Sequence, residues 1–353
     1  MLRTSASSCG KRSIPRAAEG RPANGDPVAD DDPLAPFLAA QPAVVLDGGL
    51  ASELERRGAD LSDALWSAGV LQRSPESIRQ VHLDYLQAGA DVITCASYQA
   101  TLDGFAAGGI SPGEAVELLR LSVRLALEAR DAFWSEPANR RGRLRPLVAA
   151  SVGPYGAYLA DGSEYRGDYG LGRGELRSFH RPRLSVLLEA GPDVLALETL
   201  PCKLEGEVLV DLLHEHPQAR AWLSFSCRDA RHVSHGETLA DCVALADGER
   251  SIVAAGVNCS APHYVEALLQ SCAPGATVPL VAYPNRGECW DAELRAWRPG
   301  AVEPPQLEVE RWIDAGARLV GGCCRTTPRD IARLRRRMLD RSGGSRANAT
   351  GEP

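Results

Sequence analysis

The stretch LEAGPDVLALETLP, residues 188–201, joins a helical segment to a short apolar strand through a turn of small residues. LQAGADVITCASYQ at 86–99 and IDAGARLVGGCCRT at 313–326 have the same organisation. In each stretch the Ala-Gly pair is expected to close the helix, because glycine readily adopts the left-handed conformation that ends helices. The leucine and β-branched residues that follow predict a strand that is buried on both faces.

Strands of this character recur along the chain, with helical segments such as 75–88, 115–133, 264–272 and 328–342 between most of them. We predict eight strands, at 43–49, 91–97, 146–153, 193–199, 221–227, 251–260, 278–285 and 317–324. Eight strand–helix units predict an α/β fold of the (β/α)8 TIM-barrel type in a single domain. The alternative is a doubly wound open sheet, which usually carries a GxGxxG loop after its first strand. LDGGLASELE at 46–55 lacks that spacing, so the barrel is favoured.

Composition and charge narrow the class of protein. An apolar content of 44% is typical of a globular core, and a formal charge of -7 argues against nucleic acid as the main partner. No apolar run approaches the roughly 20 residues of a membrane-spanning helix, so no membrane partner is expected. The 10 cysteines are spread through a long chain with no secretory signal, which indicates free thiols or metal ligands and a cytoplasmic location.

Both ends of the chain differ in composition from the segment between them. Residues 1–36 are rich in Ser, Arg, Pro, Ala and Gly without periodicity, which predicts a disordered tail. Because no acidic residue precedes Glu19, an organelle transit peptide stays open as an alternative. Residues 343–353 also predict a disordered tail, which leaves 37–342 as the barrel domain.

Three cysteines fall where a barrel carries its active site, at the C-terminal ends of strands. Cys259 ends the sixth predicted strand, and Cys323 and Cys324 end the eighth. Three thiolates on one rim can converge on Zn²⁺, whose catalytic sites use three protein ligands and keep one position open. Gly321 and Gly322 would permit the departure from strand geometry that two neighbouring ligands require. Taken singly, each cysteine is better explained as a small buried hydrophobe than as a ligand, and the shared place at the strand ends is what favours the metal site.

Two carboxylates are predicted at the same end of the barrel. Asp47 ends the first strand and Glu198 the fourth. Each suits a catalytic acid or base, an ion-pair partner, or a clamp for a substrate ammonium group, and the residues alone do not choose among these roles. Cys289 follows the seventh strand near the same rim, and it is left as a bystander or a redox-sensitive thiol.

The segments together resemble the homocysteine S-methyltransferase family, near the branch that uses S-methylmethionine or S-adenosylmethionine as methyl donor. The resemblance runs from about 43 to about 337 in one continuous order, which makes it highly specific. The matching segments include VVLDGGLASELERRGADL (44–61), LWSAGVL (65–71), GADVITCASYQAT (89–101), SVGPYGAYLADGSEYRGDYG (151–170), VLALETLP (194–201), GVNCSAP (256–262), AYPNRGECWD (282–291) and LVGGCCRTTP (319–328).

The resemblance implies a function as well as a fold. It implies a zinc-dependent enzyme of methionine biosynthesis that moves a methyl group from a sulfonium donor to the thiol of L-homocysteine and forms methionine. It implies Cys259, Cys323 and Cys324 as the Zn²⁺ ligands, and it resolves the open role of Asp47 and Glu198 in favour of the ammonium clamp.

Further expectations rest on the loops that carry the resemblance. We expect substrate contacts also from Gly48, Gly49, Ser97, Tyr98, Gln99 and Asn258. Ring faces of Tyr155, Tyr158, Tyr165, Tyr169 and Trp290 are candidates for stabilising the donor cation. The chain lacks the C-terminal extension of the betaine-using branch, so a monomer is expected. The alternatives are another acceptor, such as selenocysteine, or a non-catalytic zinc- or redox-sensing barrel, and the sequence does not rank the two donors.

Overall fold

Eight parallel strands form the centre of the molecule in the computed structural model, which describes residues 32–61, 67–291, 296–298 and 308–348. They are β1 Val44–Val45, β2 Val92–Thr94, β3 Leu147–Val152, β4 Val194–Leu200, β5 Ala221–Phe225, β6 Ile252–Asn258, β7 Leu280–Tyr283 and, last in the chain, β10 Ala317–Val320. Their hydrogen-bonded order is β1-β10-β7-β6-β5-β4-β3-β2. A parallel bridge between Leu46 and Val92 joins the two ends of this sheet, so the predicted (β/α)8 barrel is confirmed.

A short hairpin lies outside the barrel sheet and was not predicted. Its strands are β8 Cys289–Asp291 and β9 Ala296–Arg298, which pair in antiparallel register. Cys289 and Trp290 lie on β8, and their side chains fall outside the described part of the chain. The predictions for these two side chains therefore stay predictions.

Helices connect the barrel strands and cover their outer faces. They are α1 Ala35–Ala40, α2 Leu50–Arg56, α3 Ser67–Arg73, α4 Pro75–Ala88, α5 Leu102–Ala107, α6 Pro112–Ser135, α7 Tyr155–Leu159, α8 Arg173–Glu189, α9 Lys203–Leu213, α10 Leu239–Val243, α11 Pro262–Cys272, α12 Val309–Asp314 and α13 Pro328–Asn348, with 3-10 turns at Pro137–Arg140, Ser163–Tyr165 and Ala244–Ala246. The helix predicted at 75–88 coincides with α4. In the described part of the chain, no helix combines the length and apolar character that a membrane span requires.

The Ala-Gly joints that predicted the fold are present as helix ends. Gly89, Gly191 and Gly316 follow α4, α8 and α12 with φ angles of 109°, 78° and 106°. At the first of these joints, Gly89 N donates to the carbonyl of Leu86 at 3.1 Å. A side chain at these positions would strain the left-handed backbone, so the glycines allow the chain to turn directly into the next strand.

Alternation along the strands separates an interior core from an outer one. On β4, Val194 faces the barrel interior, whereas Leu195 packs in the layer between strands and helices. Trp222 on β5 is the largest fully buried side chain of the interior cluster. Its indole Nε1 donates to the hydroxyl of Tyr283 at 3.0 Å, so the interior core supports the polar site above it.

The predicted domain limits fall close to the ends of the described residues. Leu34 is fully buried in the interior cluster, and α1 begins at Ala35, within the predicted tail 1–36. The last helix extends to Asn348, beyond the predicted limit at 342. Residues 1–31 and 349–353 lie outside the described residues, where the tails stay predictions.

Candidate metal and substrate site

Three thiols converge at the C-terminal end of the barrel. Cys259 follows β6, and Cys323 and Cys324 follow β10. The three sulfur atoms lie within 4.8 Å of one another, and the Sγ atoms of Cys259 and Cys324 are 3.6 Å apart. Tetrahedral Zn²⁺ with Zn–S bonds of about 2.3 Å places its sulfur ligands about 3.8 Å apart. The spacing and the all-thiol chemistry of this set therefore fit Zn²⁺, with the fourth position left for a substrate.

The two glycines before the cysteine pair provide space rather than an unusual backbone conformation. Strand β10 ends at Val320, so the predicted departure from strand geometry is present. A Cβ on Gly321 would lie 2.7 Å from Cβ of Leu46, and one on Gly322 would overlap the side chain of Thr326. Close packing therefore requires glycine at both positions, and φ is not in the left-handed region at either of them.

Backbone hydrogen bonds fix the turn that carries the cysteine pair. Gly322 N donates to the carbonyl of Asp47 at 3.0 Å, and Cys323 N donates to the carbonyl of Pro284 at 2.7 Å. Thr326 N donates back to the carbonyl of Cys323 at 3.1 Å, which closes the turn. The turn is thus tied to the ends of β1 and β7, and the thiols are positioned by the barrel itself.

Strained residues border the thiols. Cys259 has a φ of 46° and Thr199 a φ of 59°, both in the left-handed region that residues with a side chain rarely adopt. Asn258 stabilises the left-handed conformation of Thr199. Its Oδ1 accepts from Thr199 N at 2.8 Å, and its Nδ2 donates to Thr199 Oγ1 at 2.7 Å. The amide of Asn258 therefore links β6 to the end of β4, next to Glu198.

Charge is unevenly distributed within the thiol cluster. Hydrogen bonds from Cys323 and Cys324 hold the pKa of Cys259 well below its ordinary value. The hydrogen bond to Cys259 raises the pKa of both neighbours. Repulsion among neighbouring thiolates opposes full ionisation of the cluster, and a bound cation would offset that repulsion.

Asp47 lies buried at the end of β1. Its Oδ2 accepts from the backbone N–H of Thr94 at 2.7 Å, and its Oδ1 accepts from the Thr94 hydroxyl at 3.1 Å. Burial raises the pKa of this carboxyl to about 8, and the nearby charge of Glu198 acts in the same direction. A positive group between the two carboxyls would restore their charged forms.

Glu198 lies opposite, at the end of β4. Ser151 donates a hydroxyl hydrogen bond to Oε1, and the hydroxyl of Tyr283 donates to Oε2 at 3.0 Å. Burial raises the pKa of Glu198 to about 7, and the charge of Cys259 adds to this effect. The hydrogen-bond donors to both carboxyls are therefore neutral groups, and neither carboxyl forms an ion pair with them.

Three of the other predicted substrate residues, Ser97, Tyr98 and Gln99, follow β2 at the same end of the barrel. Ser97 donates its hydroxyl to the carbonyl of Ser151 at 2.7 Å. Gln99 donates to the carbonyl of Ala157 at 3.0 Å, while its Oε1 is buried without a partner among the described residues. The ring of Tyr98 packs against Gly153, and a Cβ added to that glycine would lie 2.7 Å from the ring.

Gly48 and Gly49 bring the end of β1 against the cysteine turn. A Cβ on Gly48 would lie 2.7 Å from the carbonyl of Thr326, and one on Gly49 would lie 2.8 Å from the carbonyl of Cys323. These two positions allow close backbone approach. Substitution at either would displace the turn that carries the thiols.

Among the described residues of the candidate aromatic set, Tyr165 contacts a thiol. It belongs to the 3-10 turn Ser163–Tyr165, and its hydroxyl lies 3.2 Å from Sγ of Cys259. Tyr155 instead packs against the rings of Tyr158 and Tyr169, with centroids 5.5 and 5.4 Å away. The sequence named Tyr165 only as one aromatic among several, because the loop that carries it has no periodic pattern.

Sequence reasoning missed the residues that hold the two carboxyls. Thr94 and Ser151 are polar positions within otherwise apolar strands, which was the available signal. Tyr283 lies within the strand predicted at 278–285, but its bond to Glu198 depends on the placement of β4 and β7 around the barrel interior. These partnerships require the three-dimensional register of the strands.

The chain is similar to proteins of one family over most of its length. A family model described as homocysteine S-methyltransferase matches residues 44–338. The homocysteine S-methyltransferase of Escherichia coli (strain K12) is 50% identical over 312 residues, which are 88% of this chain and 100% of that protein. Homocysteine S-methyltransferase YbgG of Bacillus subtilis (strain 168) is 49% identical over 304 residues, 86% of this chain and 96% of that protein.

A solved structure shows the same relation in three dimensions. The metallated form of the homocysteine methyltransferase MmuM from Escherichia coli has a TM-score of 0.78 and 49% sequence identity, with 87% of this chain and 100% of that chain covered. Its oxidised form has the same TM-score. The chain described here belongs to the homocysteine S-methyltransferase family.

Proposed function

We propose that this protein transfers a methyl group from a sulfonium donor, S-methylmethionine or S-adenosylmethionine, to the thiol of L-homocysteine and forms methionine. The observation that carries the proposal is the convergence of Cys259, Cys323 and Cys324 beside two buried carboxyls in one barrel mouth. One set suits a sulfur nucleophile and the other suits an ammonium group. Homocysteine carries both.

Cys259, Cys323 and Cys324 would hold Zn²⁺. Bound there, the ion would supply a deprotonated substrate thiol at neutral pH, where a free thiol with a pKa of about 8.5 is mostly protonated. The chain positions its thiols through the strained backbone of Cys259 and through the turn after β10.

Asp47 and Glu198 would bind the homocysteine ammonium group. Their described partners are neutral hydroxyl and amide groups, so their charge is available to a substrate. Burial raises the pKa of both carboxyls, and a bound ammonium lowers it again. Ammonium binding is therefore coupled to the release of the proton that the raised pKa favours in the free protein.

The reaction is a displacement at carbon. A lone pair of the homocysteine thiolate forms the new S–CH3 bond while the C–S bond of the sulfonium breaks, and the electron pair of that bond remains on the leaving sulfur. The leaving group is then neutral, either methionine or S-adenosylhomocysteine, and it needs no proton. The thiol proton of homocysteine is released to solvent. The chain contributes alignment of sulfur and methyl, at about 3–3.5 Å before reaction.

An assay of methionine formation tests this function and ranks the two donors. Zinc-loaded protein is incubated with homocysteine and with each sulfonium donor in turn, and selenocysteine replaces homocysteine in a parallel series. We expect methionine from homocysteine with at least one donor. Stoichiometric zinc binding without turnover of either donor would contradict the proposal and favour the zinc- or redox-sensing alternative. A monomeric state and a cytoplasmic location stay predictions of the sequence.

A further inference from the structure

Glu164 has a buried carboxylate oxygen that the described contacts leave unused. The residue lies in the 3-10 turn Ser163–Tyr165, directly before the tyrosine that contacts Cys259. Its Oε2 is buried and has no hydrogen-bond partner within the described part of the chain. Burying a carboxylate oxygen without a partner is unfavourable, so the arrangement calls for a group that the described residues do not provide.

The position of Glu164 is built into the fold. Gly156 on α7 approaches the backbone of Glu164 so closely that a Cβ there would overlap it. Ser226, which follows β5, donates its hydroxyl to the carbonyl of Glu164 at 3.0 Å. The turn is thus held between an α7 glycine and the end of a barrel strand.

The Glu164 carboxyl interacts electrostatically with the thiols as well as with charged groups of its own loop. Burial raises the pKa of Glu164 to about 7, and the charge of Cys259 adds to this effect. Arg166, two residues along the chain, bonds to Asp168 at 3.2 Å and to the hydroxyl of Ser163 at 3.0 Å. Arg166 therefore directs these hydrogen bonds to other partners, and its charge only partly offsets the effect of burial on the pKa of Glu164.

We propose that Glu164 binds the positively charged sulfur of the methyl donor, with the ring of Tyr165 beside it. This inference rests on the proposed function. A methyl group that reaches the thiol cluster must pass within a few ångströms of Tyr165, whose hydroxyl is 3.2 Å from Cys259 Sγ. A sulfonium has no hydrogen to donate. A bare carboxylate oxygen and an aromatic ring are groups that attract such a cation.

The chemistry of the transfer predicts which kinetic constant depends on Glu164. The positive charge of the donor disappears as the methyl moves to the thiolate, so the carboxylate interacts more strongly with the bound donor than with the transition state. Interactions of this kind lower the donor KM and do not raise kcat. Glu164 therefore recruits the donor, whereas alignment at the thiols sets the rate.

The test compares Glu164→Gln with Asp168→Asn, which removes an exposed carboxylate from the same loop. We expect Glu164→Gln to raise the donor KM about tenfold or more, while kcat and the homocysteine KM stay within about threefold. Its thermal midpoint should equal or exceed that of the wild type, because the variant no longer buries an unpartnered charge. Asp168→Asn should leave the donor KM unchanged. An unchanged donor KM in Glu164→Gln, or an equal rise for homocysteine, would overturn the proposal.

A binding measurement separates this inference from the proposed function. Calorimetry compares S-methylmethionine with its carbon isostere, in which a CH group replaces the sulfonium sulfur. We expect the wild type to prefer the sulfonium and Glu164→Gln to lose that preference. If the wild type binds the sulfonium selectively but forms no methionine, the proposed function fails and the assignment of Glu164 survives. Equal binding of the two compounds by the wild type would overturn the assignment.

Discussion

At the scale of single residues, the site is defined by carboxyls whose hydrogen-bond donors are neutral. Glu198 accepts hydroxyl hydrogen bonds from Ser151 and Tyr283, and Asp47 accepts from Thr94. These donors orient the carboxyls without neutralising them. Buried carboxyls that are oriented but have no positively charged partner are typical of binding sites for cations.

Replacement of Glu198 tests the ammonium clamp. Glu198→Gln keeps the shape of the side chain but removes its charge, so we expect the homocysteine KM to rise by about tenfold to a hundredfold, as for a lost charged hydrogen bond of roughly 1.5–3 kcal/mol. Steady-state kinetics at saturating donor measure this change, and bound zinc should remain at the wild-type level. A homocysteine KM equal to that of the wild type would remove Glu198 from the clamp.

The pH dependence of stability tests the burial of Asp47. Burial raises its pKa from 3.8 to about 8, so the folded protein keeps a proton that the unfolded chain has released over that interval. Stability therefore falls as the pH rises from 3.8 towards 8. We expect Asp47→Asn to flatten this fall in the ligand-free protein, and thermal unfolding at several pH values measures it. Asp168→Asn serves as an exposed control, and a variant as pH-dependent as the wild type would contradict the assignment.

At the scale of elements, the turn after β10 determines whether the thiols meet. Gly321 and Gly322 bring this turn against Leu46 and Thr326 at distances that no Cβ tolerates. The sequence predicted that the glycines allow the strand to end, and the strand does end at Val320. Their physical role is space, because the left-handed backbone occurs at Cys259 and at Arg325 instead.

A glycine substitution tests the role of this turn. Gly322→Ala would overlap Thr326, and we expect it to lower the zinc content and to reduce the free energy of unfolding by about 1–3 kcal/mol, as for other overpacked positions. Gly113→Ala is the matched control, because a Cβ at that position in α6 meets no atom within 4 Å. Zinc analysis and denaturant unfolding of both variants measure the difference. Equal behaviour of the two variants would show that close packing does not position the thiols.

The elements that the sequence predicted best are those with a local cause. Gly89, Gly191 and Gly316 end helices through their own backbone freedom, so the helix–strand joints could be recognised without a structure. The hairpin of β8 and β9 could not, because CWD and AWR are too short to show a strand pattern.

At the scale of the whole molecule, closure of the barrel collects groups that are far apart in the chain. The rule that active sites lie at strand C-termini brought Cys259, Cys323 and Cys324 together from sequence alone. The same rule did not predict the contact between Tyr165 and Cys259, two residues that are 94 positions apart. Tyr165 lies in a 3-10 turn and not at the end of a strand, so the rule does not apply to it. Contacts made by irregular loops depend on the closed barrel and not on strand order.

Zinc content and methyl transfer, measured on the same samples of Cys259→Ala, test the central claim most directly. Cys272→Ala is the control, because Cys272 is a buried thiol of α11 outside the cluster. We expect the wild type and Cys272→Ala to bind one zinc ion per chain and to form methionine from homocysteine. The Cys259→Ala variant should lose both properties while it remains folded. Full methyl transfer by zinc-free Cys259→Ala would contradict the account.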